Sequence, residues 1–270
     1  MNVISPMPFT IVNPSEPLVE TKIKQTSEPQ SICHSSHGRS LCRIGIFYDG
    51  NFFSYAQNFF YHNRGLGWLK FSNLHSLLEE YLSELEPGFS QYRVVYGGWF
   101  QGLYQSNQAS YEQLRKDRNL QHDLMHAGIE SHFIPMSQCN GREKGVDVAL
   151  TLQAMQIGLE NQIDVAVLVT GDGDFVPLAQ MLMKYGVRSL AAYFDYTDER
   201  VKKRSFINER LLKAVNYAVN LNILEDNDEW REAFYSLFRK TSEGSSSSKP
   251  SFSEAIVPLN CDDSSLSPIS

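Results

Sequence analysis

Asp172 and Asp174 stand two residues apart in Thr170-Gly171-Asp172-Gly173-Asp174, directly after an apolar, β-branched run at residues 165–169. Asp49 closes a similar run, Ile44-Gly45-Ile46-Phe47-Tyr48-Asp49, and is followed by Gly50-Asn51. Asp147 lies in Lys144-Gly145-Val146-Asp147-Val148, where a helical pattern begins. A carboxylate at the carboxyl end of a buried strand is costly unless something satisfies it. In open α/β sheets that edge is also where ligands bind. Several such acids together point to a hard divalent cation, Mg²⁺ or Mn²⁺, which prefers oxygen ligands. One ion, or two roughly 4 Å apart, could activate water and neutralise the charge building up on a phosphodiester. Asp49, Asp147, Asp172 and Asp174 are therefore candidates for catalysis and for metal binding alike.

The alternatives differ from residue to residue. The two glycines of the 170–174 stretch allow a tight turn off the strand, and a helical pattern opens just beyond it. Asp174 suits the N-cap of that helix, with Pro177 in its first turn, so capping and metal binding both stay open for it. Asp172 has no comparable local task. An Asp-x-Asp pair also fits a metal-dependent glycosyltransferase, but that reading leaves Asp49 and Asp147 unused. His122 and His126 form an i, i+4 pair without the adjacent glutamate of a zincin helix and read as a surface or packing pair. Cys33, His34, His37 and Cys42 match no zinc spacing. There is no Walker A motif and no Gly-x-Ser-x-Gly.

To meet, the acids need elements that deliver them to one edge. Strand-like and helix-like segments alternate along the chain. Residues 42–48 read as a strand buried on both faces, because the apolar run hardly alternates. Helices are expected at 51–62 and at 72–85, the second capped by Ser72 or Asn73 and stopped by Pro87-Gly88. Tyr92 to Tyr96 reads as a strand that Gly97-Gly98 then loosens. A helix at 107–127 ends at Gly128, and a short strand runs from Glu130 to Ile134. Residues 146–160 form a helix, 164–170 a core strand, 175–185 a helix ended by Gly186, and 187–194 a strand. Two more helices are expected at 206–220 and 228–239, the last burying Trp230, Phe234, Leu237 and Phe238 against the domain. This alternation argues for an α/β fold with a mainly parallel central sheet flanked by helices on both faces. Asp49, Asp172 and Asp174 then share one sheet edge, with Asp147 pointing into the same cleft.

Composition sets the frame. Of 270 residues, 42% are hydrophobic, enough for one domain with a proper core. Residues 1–40 and 241–270 are polar, rich in Ser and Pro, and read as a disordered arm and tail around a domain at 41–240. No apolar run approaches a membrane span, and scattered cysteines without a disulfide framework point to the cytoplasm. The net charge of −7 argues against a general nucleic-acid coat protein. The basic stretches Arg115-Lys116-Asp117-Arg118 and Lys202-Lys203-Arg204, the latter with Arg210 and Lys213, read mostly as solvated faces.

The runs IGIFYDGN, KGVDVALTLQA (Lys144 to Ala154) and VLVTGDGDFVPL (Val167 to Leu178) together resemble the NYN domain, and more narrowly its LabA-like branch within the PIN-like nuclease superfamily. The resemblance spans about residues 43–195. It implies a Rossmann-like PIN fold and a metal-dependent ribonuclease site of acidic residues. Asp49 then corresponds to the acid after the first strand and Asp147 to the acid of the Lys-Gly-x-Asp motif. Asp172 and Asp174 correspond to those of the Ser/Thr-Gly-Asp-x-Asp-Phe motif. Asn51, Lys144 and Thr170 become candidate substrate-binding residues. Two positions depart from the pattern. Gln153 stands where many relatives carry a further aspartate, and Asn51 comes one position earlier than the usual asparagine.

The expected function is a metal-dependent endoribonuclease acting on RNA with Mg²⁺ or Mn²⁺. The alternative is a weak or inactive module of the same fold that binds RNA or a protein in regulation, the reading that Gln153 and the acidic net charge favour. The C-terminal helices and the tails leave room for a homodimer or a protein partner.

Overall fold

The computed structural model describes residues 41–104, 109–136 and 144–239. The expected arm and tail lie outside them. The chain runs β1 (Cys42–Asp49), α1 (Gly50–Phe59), α2 (Phe71–Leu85), β2 (Tyr92–Leu103), α3 (Tyr111–His126), β3 (Glu130–Pro135), α4 (Val146–Leu159), β4 (Val165–Val169), α5 (Val176–Lys184) and β5 (Arg188–Tyr193). A small hairpin, β6 (Tyr196–Asp198) and β7 (Lys203–Ser205), then precedes α6 (Glu209–Ala214), β8 (Tyr217–Asn220) and α7 (Arg231–Ser236).

Six strands form one sheet in the order β3-β2-β1-β4-β5-β8, every pairing parallel. Parallel neighbours need crossovers, and the helices that supply them cover both faces. One face packs Phe53, Leu74, Leu78, Trp99 and Phe234 under α1, α2 and α7. The other packs Phe47, Leu150, Ala154, Leu178 and Leu182 under α4 and α5. β4 lies between them with all five residues buried, which is why its sequence is a bare apolar run. From β1 the chain winds to one side through β2 and β3, then returns to β4 and winds the other way. The crevice between the carboxyl ends of β1 and β4 is therefore the topological switch point, the ligand-binding position of this Rossmann-like architecture.

The structure corrects four local expectations. β2 does not loosen at Gly97-Gly98 but continues to Leu103. Those glycines make room for neighbours, since a Cβ on Gly98 would lie 2.7 Å from the Tyr96 hydroxyl. The expected helix over 206–220 is split. α6 ends at Ala214, Val215 turns extended, and 217–220 adds an edge strand beside β5. The run Leu211-Leu212 to Val219 is apolar enough for either period, and Asn216, whose side chain accepts the Ser189 N–H at 2.9 Å, draws it onto the sheet. Neither Ser72 nor Asn73 caps α2. Lys70 holds that position without a side-chain bond, and the chain is anchored instead by the Lys70 N–H on the Leu237 carbonyl. α7 is shorter than 228–239, although Trp230, Phe234, Leu237 and Phe238 are buried as expected.

Candidate active site

Asp49 is the last residue of β1 and the N-cap of α1. Its Oδ1 accepts the Phe52 N–H at 3.1 Å, which satisfies one of the helix's open donors. The other oxygen accepts the Thr170 hydroxyl at 3.2 Å. Thr170 follows β4, is 1% exposed, and its Oγ1 also accepts the Asp172 N–H at 3.2 Å. One threonine side chain thus ties the ends of β1 and β4 together and holds Asp49 against the loop that carries Asp172.

That loop is shaped by what packs on it. A Cβ on Gly171 would collide with the Phe206 carbonyl, and one on Gly173 would come 2.7 Å from the Asn208 side chain. The Asn208 N–H donates to the Gly171 carbonyl at 2.8 Å, while its side chain caps α6. Asn208 was invisible in the sequence, where it falls inside the expected 206–220 helix. The Asn-cap signal before Glu209 could have revealed the break.

Capping falls on the other aspartate. Asp172, not Asp174, caps the short turn Gly173–Phe175, its Oδ1 accepting the Asp174 N–H at 2.9 Å. The helix that follows starts at Val176 without a side-chain cap. Asp174 is exposed and free of the role its position offered, so the local explanation passes from Asp174 to Asp172.

Asp147 arrives from the other side. Gly145 adopts φ +86° at the start of α4, a conformation glycine takes without penalty. This places Asp147 in the helix's first turn, where α4 meets the 173–175 turn. Its pKa is raised, first by desolvation and then by the charges of Asp172 and Asp174. The side chain keeps contact with solvent, so water screens much of this repulsion. The direction nonetheless places Asp172 and Asp174 within electrostatic reach of Asp147. Lys144 is exposed just ahead of that turn, and Asn51 sits half-buried in the first turn of α1.

Gln153 lies further along α4. Its side chain hydrogen-bonds the Tyr96 hydroxyl, which also pairs with His132 Nε2 at 3.1 Å. His132 is stacked on Phe100 with ring centroids 4.5 Å apart and lies 3.4 Å from Glu130. Gln153 is thus part of a polar network between α4, β2 and β3. His122 and His126 touch through their Nε2 atoms at 3.1 Å on the exposed face of α3, as the surface pair expected.

A hard divalent cation fits this donor set in kind: the groups are oxygens only, and they repel one another. Among the described residues no three His, Cys, Asp or Glu side chains stand close enough to form a direct ligand set. Mg²⁺ commonly keeps several waters and takes one or two carboxylates, so a wider ring of acids is compatible with it.

The parallel sheet and its switch point define a Rossmann-like α/β protein. The model of the NYN domain matches residues 43–220, and the chain belongs to that family. The LabA-like branch is the narrower assignment consistent with it. NYN domains fall in the PIN-like nuclease superfamily, are generally nucleases and usually use divalent metals. A crystal structure of a protein of unknown function from Vibrio parahaemolyticus is similar at 19% identity and TM-score 0.45, covering 69% of this chain and 96% of that one. No curated protein matches. Among the described residues no helix is long and apolar enough to cross a membrane.

Proposed function

We propose that the chain is a metal-dependent endoribonuclease that hydrolyses RNA phosphodiesters at Asp49, Asp147, Asp172 and Asp174, working in the cytoplasm. The observation that carries this reading is the delivery of these acids to one end of a nuclease-family fold: Thr170 ties Asp49 to the Asp172 loop, and the first turn of α4 meets the turn that bears Asp174. These acids would hold Mg²⁺ or Mn²⁺, which would lower the pKa of a bound water and neutralise charge developing on the phosphate. The chain's own residues do the positioning. Thr170 fixes the Asp49 carboxylate and the start of the Asp172 loop. Asp172 is held by the turn it caps, so its second oxygen is presented in a set direction. Lys144 and Asn51 flank the acids and are suited to contact a phosphate and the substrate or Asp49, respectively.

The test is cleavage of a labelled single-stranded RNA by purified protein in Mn²⁺. Asp172→Asn abolishes cleavage if the reading is right. Cleavage that persists in EDTA and in that variant overturns it. One observation favours a second reading, a weak or inactive module that binds RNA or a protein partner: Gln153 is neutral and already engaged by Tyr96. Calorimetry separates the two, because an inactive module of that kind shows no heat of binding with millimolar Mn²⁺.

A further inference from the structure

The β6–β7 hairpin and the segment that leaves it, residues 206–208, lie outside the acidic cluster, yet that segment touches its loop. The Phe206 carbonyl lies against Gly171, and Asn208 packs on Gly173. Directly behind this contact, two exposed aromatic rings are each covered by a cation. Lys203 Nζ sits 4.5 Å from the Tyr55 ring centroid, and the Arg204 guanidinium sits 5.6 Å from that of Phe206. Tyr55 is 55% exposed and Phe206 54%. Tyr55 belongs to α1, the helix that Asp49 caps, one turn beyond Phe52, whose N–H Asp49 accepts. The rings therefore continue outward from the two carboxylate-bearing loops.

The charge of this face is not simply that of a solvated helix. Arg200, Lys202, Lys203 and Arg204 are all exposed within five residues. The acids among them are partly spent: Asp198 accepts from Asn63 at 2.8 Å and lies 3.6 Å from Arg200. Asp195 lies 3.8 Å from Arg204, and Glu199 is exposed. His62 on the adjacent turn has its pKa lowered by burial first and then by Arg200 and Lys116, so cations gather from more than one element. In a chain of net charge −7, a local run of exposed cations interleaved with exposed rings is the pattern of a single-strand binding track. Rings stack bases of any sequence while cations follow the phosphates.

We infer that Tyr55, Lys203, Arg204 and Phe206 form a stacking track that holds single-stranded RNA and leads it over Gly171 to the aspartates. This rests on the nuclease reading for its direction but not for its binding. A base stacks on each ring by displacing the covering cation toward the neighbouring phosphate. A duplex, whose bases are already stacked, cannot use the rings.

The experiment is fluorescence anisotropy with a fluorescein-labelled twelve-nucleotide oligouridylate and the full chain in EDTA, so that no cleavage occurs. Phe206→Ala and Tyr55→Ala are each expected to weaken binding about tenfold, while Tyr55→Phe keeps the ring and the affinity. Lys203→Gln with Arg204→Gln flattens the log–log salt dependence by about 1.4, two phosphate contacts at the single-strand slope. Thermal melting of each variant confirms that it is folded. Wild-type protein that binds no oligouridylate, binds a duplex of the same length equally well, or is indifferent to all four substitutions overturns the track; the first result leaves the surface to a protein partner. The cleavage assay stands apart. Track variants that weaken binding in a protein that never cleaves leave the track standing and remove the nuclease. Cleavage with unaltered binding in those variants does the reverse.

Discussion

The same two strands carry acids at both ends, and the two ends are treated in opposite ways. At the amino end, Asp164 precedes β4 and is 7% exposed. The Arg43 backbone N–H, Nε and Nη2 donate to its two oxygens at 3.0, 3.0 and 3.1 Å. That acid has a cation built into the neighbouring strand and needs nothing else. At the carboxyl end of β1 and β4, Asp49, Asp147, Asp172 and Asp174 gather. Neutral donors hold two of them: the Phe52 N–H and the Thr170 hydroxyl bond to Asp49, and the Asp174 N–H bonds to Asp172. A stability-driven fold satisfies charge as it does at Asp164. Acids brought together at a strand edge, with Asp147 feeling the charges of Asp172 and Asp174, are the pattern that the proposed metal site would use.

The comparison breaks first, and most visibly, at Asp172. Asp172→Asn keeps the cap geometry through its amide oxygen and loses the charge. Cleavage is expected to fall at least about a hundredfold, the scale of removing one preorganised electrostatic partner. The melting temperature should stay level or rise. A fall in activity that merely tracks lost folding would show that the carboxyl end is as structural as the amino end.

The reverse is expected at Arg43. Arg43→Met leaves the Asp164 carboxylate in place, keeps the backbone N–H of residue 43 on it and removes the guanidinium. Losing one partner of a buried pair costs about 3–5 kcal/mol. Arg43 is itself 36% exposed, which lowers the expectation to about 2 kcal/mol in urea unfolding. Specific activity of the folded fraction should be unchanged.

How much of this contrast was readable from sequence differs from residue to residue. The acids after strands were legible because apolar runs without alternation announce buried parallel strands, and the residue ending such a run must stand at an edge. The sheet's extra strand β8 was not, because 211–219 is mostly apolar, broken only by Lys213 and Asn216, and the bond of Asn216 to Ser189 favours strand over helix. The Asp172–Asp174 exchange of roles was also hidden. An aspartate before a helix and an aspartate before a single helical turn obey the same capping rule, and only the start of α5 at Val176 decides between them. Asp164 attracted no notice because its partner lies 121 residues away along the chain.

Metal addition sharpens the comparison further. Mn²⁺ at ten times its dissociation constant should stabilise the wild type by about 1.4 kcal/mol through mass action, read as an upward shift in thermal melting. The Arg43→Met protein should show the same increment, since its lesion is at the far end of the strands. Asp172→Asn should show little of it. An equal shift in all three would place the ion elsewhere on the chain.

The smallest effect is the most discriminating, because its sign is set by the solution. The Asp147 pKa is raised in the folded chain, so in the metal-free protein its ionisation opposes folding. The cost is absent below the unfolded-state value, grows as pH rises through the window up to the raised value, and is complete above it. At neutral pH in EDTA, Asp147→Asn is therefore expected to stabilise by a few tenths of a kcal/mol, a size set by solvent screening. At pH 3, where the carboxyl is protonated in both states, the gain should vanish. With Mn²⁺ present the repulsion that raised the pKa becomes attraction to the ion, and the same substitution should destabilise. Denaturant unfolding at the two pH values, with and without Mn²⁺, reads all of these signs. A substitution at Asp164 offers no such reversal, because Arg43 is present whatever the buffer contains.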